Sequence, residues 1–198
     1  MIKTFFMKLS FVIPVLLCLI SQPTIAADSC QTILKLPIET TLIKQQIYWF
    51  NLGITIPKHF KCCQKNLKNN FLEFIPNTEN RDNWSETILS QMASGQEVHI
   101  FRLFETLKKK FQYSTSALTI LEECIKYKGP DASFGHFSII MSYEYNACKQ
   151  VTLAKYFAGH DSYAGFQYTV ALTPDMTENQ AIEKLKTFVQ HNTCLCTS

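Results

Sequence analysis

From residue 137 to 170 the chain alternates apolar side chains with small or polar ones through three successive runs separated by turn residues. A period of two places alternate side chains on one face of a strand, so this stretch predicts an antiparallel three-strand meander. Phe137, Ile139, Met141, Tyr143 and Tyr145 form the first apolar set, Val151, Leu153 and Phe157 the second, and Ala164, Tyr168 and Val170 the third. With turns at 146–148 and 159–162, the expected register sets Tyr143 against Val151, Met141 against Leu153 and Phe137 against Phe157. In the second hairpin it sets Phe157 against Ala164, Leu153 against Tyr168 and Val151 against Val170. Such a register gathers all three sets on one face. Lys155 breaks the pattern between Ile139 and Phe166, and its place is expected at a rim where the amine reaches water.

The rest of the chain builds around this unit. Residues 48–57 are aromatic and β-branched and end at a proline, which predicts a strand, and Phe71–Pro76 predicts another. Residues 58–70, with the Cys62-Cys63 pair, read as a polar loop. Asn83 with Glu86 resembles a capping box, followed by Trp84, Ile88 and Met92 on one helical face, and Ser94 with Glu97 repeats the device. Val98, Phe101, Phe104, Leu107 and Phe111 then form an apolar stripe at helical spacing. The basic run Lys108-Lys109-Lys110 fits the solvated end of that helix. Ser116 could cap a short helix through Leu121, Cys124 and Ile125, although Leu118 and Ile120 also alternate as in a strand. Thr177 and Gln180 predict a closing helix that carries Ile182, Leu185, Phe188 and Val189. Strands, helices, a meander and a helix, with no repeat and no linker, predict one α+β domain with an antiparallel β-sheet flanked by helices.

The N-terminus carries Lys3 and Lys8 without an acid, then an apolar run from 11 to 20, then small residues to Ala26-Ala27. This layout predicts a cleavable export signal over 1–26 and a single domain over 27–198. The apolar run is too short to span a bilayer, and no later stretch supplies a membrane span. Beyond the signal the chain has 17 basic and 16 acidic residues. Near-neutrality gives no reason to expect nucleic acid as a partner, and a protein partner is the expectation.

Seven cysteines follow the signal: Cys30, Cys62, Cys63, Cys124, Cys148, Cys194 and Cys196. In a periplasmic or extracellular chain they are disulfide candidates, with one thiol left over. None has the spacing of a zinc knuckle, and the five histidines include no pair at metal-ligand spacing, so neither a metal nor any other cofactor is expected. His160-Asp161 sits in a predicted turn, where backbone geometry accounts for it. Cys124 with His136 is the one nucleophile-and-base pairing worth testing, and His160 is the remaining weak catalytic candidate. Trp84, Tyr156 and Tyr163 are candidate binding residues.

Five pieces carry a family resemblance: Phe74-Ile75-Pro76, Asn83-Trp84-Ser85-Glu86, the phenylalanine-rich helix from Val98, the strand from Phe137 to Tyr145, and the stretch from Ala154 to Tyr168. In them the chain resembles small exported bacterial proteins of the Mog1/PsbP-like kind, such as those of Legionella. The resemblance implies an α/β/α sandwich used mainly for binding other macromolecules, in photosystem assembly and small-GTPase exchange. It carries over no functional residue. Two functions follow as expectations: a non-catalytic binding or accessory protein, periplasmic or secreted and virulence-associated, or a small secreted hydrolase with a Cys/His site.

Overall fold

The computed structural model describes residues 45–49, 52–66, 70–94, 98–128, 134–159 and 161–195. Seven antiparallel strands form the central sheet in the order β3-β4-β5-β9-β8-β7-β6. They are β3 (Phe60–Asn66), β4 (Phe71–Pro76), β5 (Glu86–Ser94), β6 (Ser116–Lys128), β7 (Phe134–Tyr145), β8 (Cys148–Ala158) and β9 (Ser162–Ala171). A smaller sheet joins β1 (Gln45–Trp49), β2 (Leu52–Ile56) and β10 (Thr193–Leu195) in the order β1-β2-β10. Helix α1 (Ile100–Ser114) covers one face of the large sheet, while α2 (Glu178–Asn192) packs on the other with Ile54 and Ile56 of β2. This is the expected α+β sandwich.

Both faces are apolar, so the register of the meander is left to its turns. Tyr145 pairs with Cys148, Tyr143 with Gln150, Met141 with Thr152 and Phe137 with Tyr156. The β7–β8 hairpin is therefore one residue away from the expected pairing, whereas β8–β9 pairs as expected, with Phe157 opposite Ala164 and Leu153 opposite Tyr168. Asn146 and Ala147 both have positive φ, at 51° and 60°. A two-residue turn of that kind matches strand twist and fixes the register by itself. Phe137, Ile139 and Met141 thus face α1 with Tyr156 and Ala154, while Ile140, Leu153, Val151, Phe166 and Tyr168 face α2. In a sheet buried on both sides a slip of one residue exposes nothing, so hydrophobic pattern alone does not select the register.

Other expectations are corrected. Residues 48–57 are not one strand, because β1 and β2 fold back on each other with Trp49 opposite Leu52. Residues 58–70 are not a loop: β3 occupies 60–66, and Cys63 is the extra residue of a bulge between Cys62 and Gln64. Residues around Ile88 and Met92 form β5, in the middle of the sheet, and 116–128 form the edge strand β6. The Asn83–Glu86 spacing serves a different purpose. Asn80 makes the turn by accepting from the backbone N–H groups of Asp82 and Asn83, and Glu86 points its carboxylate at Tyr168 Oη and at Lys184 Nζ, 2.6 Å away. α1 begins after His99 with no side-chain cap, and it continues past the three lysines to Ser114.

The closing helix has the predicted box. Gln180 N–H donates to Thr177 Oγ1 at 3.3 Å, and Gln180 Oε1 accepts from Thr177 N–H at 2.9 Å. Thr177→Ala is expected to cost about 1 kcal/mol and lower Tm by roughly 3 °C, read by thermal melting.

Candidate functional site

Where the C-terminal half of α2 stops covering the sheet, β6, β7 and β8 lie open toward one edge. Cross-strand register arranges their side chains in rows on the α2 face. Glu122, Ile140 and Leu153 form one row, Cys124, Ser138 and Lys155 the next, and Lys126, His136 and Phe157 the third. α2 supplies Lys186, Val189 and Gln190 as the opposite wall, and with the first two rows and Glu123 these enclose a groove of about 230 Å³, the third row lying just beyond it along the strands. Its floor is apolar through Ile140 and Leu153, and its polar side chains come from β6, β7, β8 and α2.

The charges in the groove are unevenly matched. Glu122 pairs with Lys186 across the groove, and Glu123, also at its lip, is met by Lys108 of α1 at 3.3 Å. Lys155 is left beside its strand partner Ser138 with its Nζ 5.5 Å above the Phe157 ring, a cation–π contact. The His136 ring packs on the same Phe157, with centroids 5.4 Å apart and planes tilted by 36°. Among the described residues neither Lys155 nor Lys126 forms an ion pair with an acid. Partial burial holds the Lys155 amine below the ordinary lysine range, partly offset by the Cys124 thiol. His136 is also held below its usual value, first by burial and then by the Lys155 and Lys126 charges.

The candidate residues fall apart from one another except here. Cys124 lies opposite Ser138, and His136 lies one row further along, opposite Lys126. Neither Cys124 nor His136 hydrogen-bonds to the other or to Ser138, so this pair is not a nucleophile held against its base. His160 lies outside the described residues. Tyr156 and Tyr163 are 1% and 7% exposed beneath α1, where they are core residues rather than presented surface, and Tyr156 Oη accepts from Gln167. Trp84 is half-buried in the turn before β5 and opens no helix.

Cys62, Cys63, Cys124 and Cys148 are free thiols. Burial raises the Cys62 thiol, and burial beside Glu73 pushes Cys63 up to about 12, which leaves both as weak nucleophiles. Cys124 and Cys148 sit opposite Ser138 and Tyr145, seven residues or roughly 23 Å apart along β7, too far to bridge. Cys30, Cys196 and the side chain of Cys194 lie outside the described residues. Among the described residues no group of three or more His, Cys, Asp or Glu could hold a metal ion, and no helix is long and apolar enough to cross a membrane.

Sequence reasoning singled out Lys155 as a misfit but did not find Ser138, Lys126 or Lys186 as its company. The signal available was the charge inside an apolar run. Its neighbours depend on register.

No family model matches the chain, and no curated protein matches its sequence. Solved structures do match. The Ran-binding protein Mog1p of Saccharomyces cerevisiae is similar at 10% identity with a TM-score of 0.50, over 77% of this chain and 95% of that one. LpqN of Mycobacterium tuberculosis, involved in cell envelope biogenesis, is similar at 8% identity with a TM-score of 0.50, over 87% of this chain and 97% of that one. The chain has the Mog1/PsbP-like fold, as its sequence resemblance implied.

Proposed function

We propose that the protein is an exported, non-catalytic accessory protein that binds a protein partner through the groove between α2 and strands β6–β8. The observation that carries this reading is the groove itself: an open, partly apolar trough with a strand edge beside it, lined by Cys124 and Ser138 with His136 one row beyond, none of the three hydrogen-bonded to another. Concave apolar surface with a few placed polar groups suits recognition. Catalysis would need a nucleophile held against its base. The fold is also that of a Ran-binding protein, which supports a binding role without assigning the partner. Export rests on the basic, apolar and small-residue order of residues 1–27.

The purified protein is expected to show no turnover above blank on ester, peptide and phosphoester substrates. Turnover that disappears in Cys124→Ser or His136→Asn would overturn the reading in favour of a hydrolase. Fusing residues 1–27 ahead of a phosphatase that is active only outside the cytoplasm is expected to give an active, processed enzyme; an unprocessed, inactive fusion rules out export.

A further inference from the structure

We infer that the groove takes an acidic segment of its partner, a short stretch in which carboxylates alternate with apolar side chains. The inference rests on the binding role proposed above and names the partner's chemistry. Lys126, His136 and Lys155 occupy adjacent strands on one face, and the two acids that line the groove are already committed, Glu122 to Lys186 and Glu123 to Lys108. Among the described residues these three cation-forming groups, Lys155 in the trough and Lys126 and His136 just beyond it, have no carboxylate paired with them. A partner carboxylate placed between Lys155 and His136 would relieve the repulsion between them and gain charge-assisted hydrogen bonds. Ile140, Leu153 and Val189 would receive the intervening apolar side chains.

Proton linkage gives this arrangement a sign. The groups facing His136 are Lys126 and Cys124 from β6 and Lys155 from β8. Lys186 from α2 is neutralised by Glu122, and α2 ends with the exposed His191, whose Nδ1 lies 2.9 Å from the Thr187 carbonyl. His136 is depressed in the free protein because its neighbours are cations and it is partly buried. A bound carboxylate reverses the charge term, so binding raises the His136 pKa and tightens as pH falls. Glutamates stay ionised at pH 5.5, well above their own range of about 4.3.

The test uses a fluorescein-labelled hexapeptide of alternating Glu and Leu, with the Gln-for-Glu peptide as control, read by anisotropy on the purified protein. The Glu peptide is expected to bind more tightly at pH 5.5 than at pH 8. Lys155→Gln is expected to weaken it about fivefold and Lys155→Glu by about tenfold or more. Titrating the His136 ring by NMR in the unaltered protein supplies a reading that does not depend on a variant folding: its pKa is expected to rise on adding the Glu peptide and to stay put with the Gln peptide. Equal binding of both peptides overturns the acidic inference while leaving a binding groove. Binding of neither overturns the inference, and the substrate assays then judge the accessory role on their own.

Discussion

Gly165→Ala is expected to destabilise the protein by about 2–3 kcal/mol, measured as a fall in the urea midpoint with an unchanged slope. Strand propensity argues the other way, since replacing a glycine that has no special φ with alanine normally stabilises by about 0.4–1 kcal/mol through the unfolded chain. The native neighbours decide the sign. A Cβ at this position would lie 2.4 Å from the Lys155 carbonyl oxygen and 2.4 and 2.6 Å from Cδ1 and Cγ of Tyr156, the residue directly across the β8–β9 pair. The carbonyl belongs to the backbone of a central strand and cannot retreat without opening the ladder. The Tyr156 ring is no freer. It is 1% exposed, stacked on Phe137 with planes 26° apart, and its hydroxyl accepts from Gln167 Nε2 at 2.7 Å. An aromatic ring lying over a strand glycine is a known way to fill the space that glycine leaves. Adding Tyr156→Leu to Gly165→Ala should then cost less than the two single changes summed. A neutral or stabilised Gly165→Ala would mean that the ring does not lie where the structure puts it.

Phe166→Ala is expected to cost about 3–5 kcal/mol, a large share of the roughly 5–15 kcal/mol that holds a domain of this size. Phe166 is fully buried and meets Phe188 of α2 edge-on, with centroids 5.5 Å apart, while Phe188 also packs against Tyr168 at 4.8 Å. Removing the ring leaves a cavity under the half of α2 that carries Lys186, Val189 and Gln190, which form the wall of the groove. The variant should lose affinity for the Glu peptide as well as stability. Phe188→Ala and the double variant complete a cycle whose coupling, expected near 1 kcal/mol, isolates the ring pair. Additive effects would show that the two rings do not act together.

How much of this was readable beforehand depends on the kind of signal. The Thr177–Gln180 box and most of the apolar stripe of α1 were readable because both are local: spacings of three and four residues have meaning only on a helix, although Phe101 is 41% exposed and Ile100 is buried in its stead. β5 and β6 were not. Ile88 and Met92, and Leu121, Cys124 and Ile125, sit at helical spacings by coincidence. β5 lies between β4 and β9 with side chains buried on both faces, and that removes the alternation by which a strand is recognised. Asn83 and Glu86 imitated a cap because the residue types that cap helices also make turns and ion pairs.

The groove shows the same division. Lys155 stood out as a charge in an apolar run, and Cys124 and His136 stood out by residue type. Which of them share a face was settled by a turn one residue shorter than the pattern suggested, and which of them are neighbours by the pairing of β6, β7 and β8.

The sequence by itself determined the sandwich, the meander and two of its helices, because apolar period and capping chemistry act between residues close in the chain. Only the tertiary structure decided the β7–β8 register, the strand identity of β5 and β6, the burial of Tyr156 and Tyr163, and the company of Lys155. Those depend on what lies across a sheet covered on both sides, where burial rewards either face and local sequence no longer says which one a side chain must take.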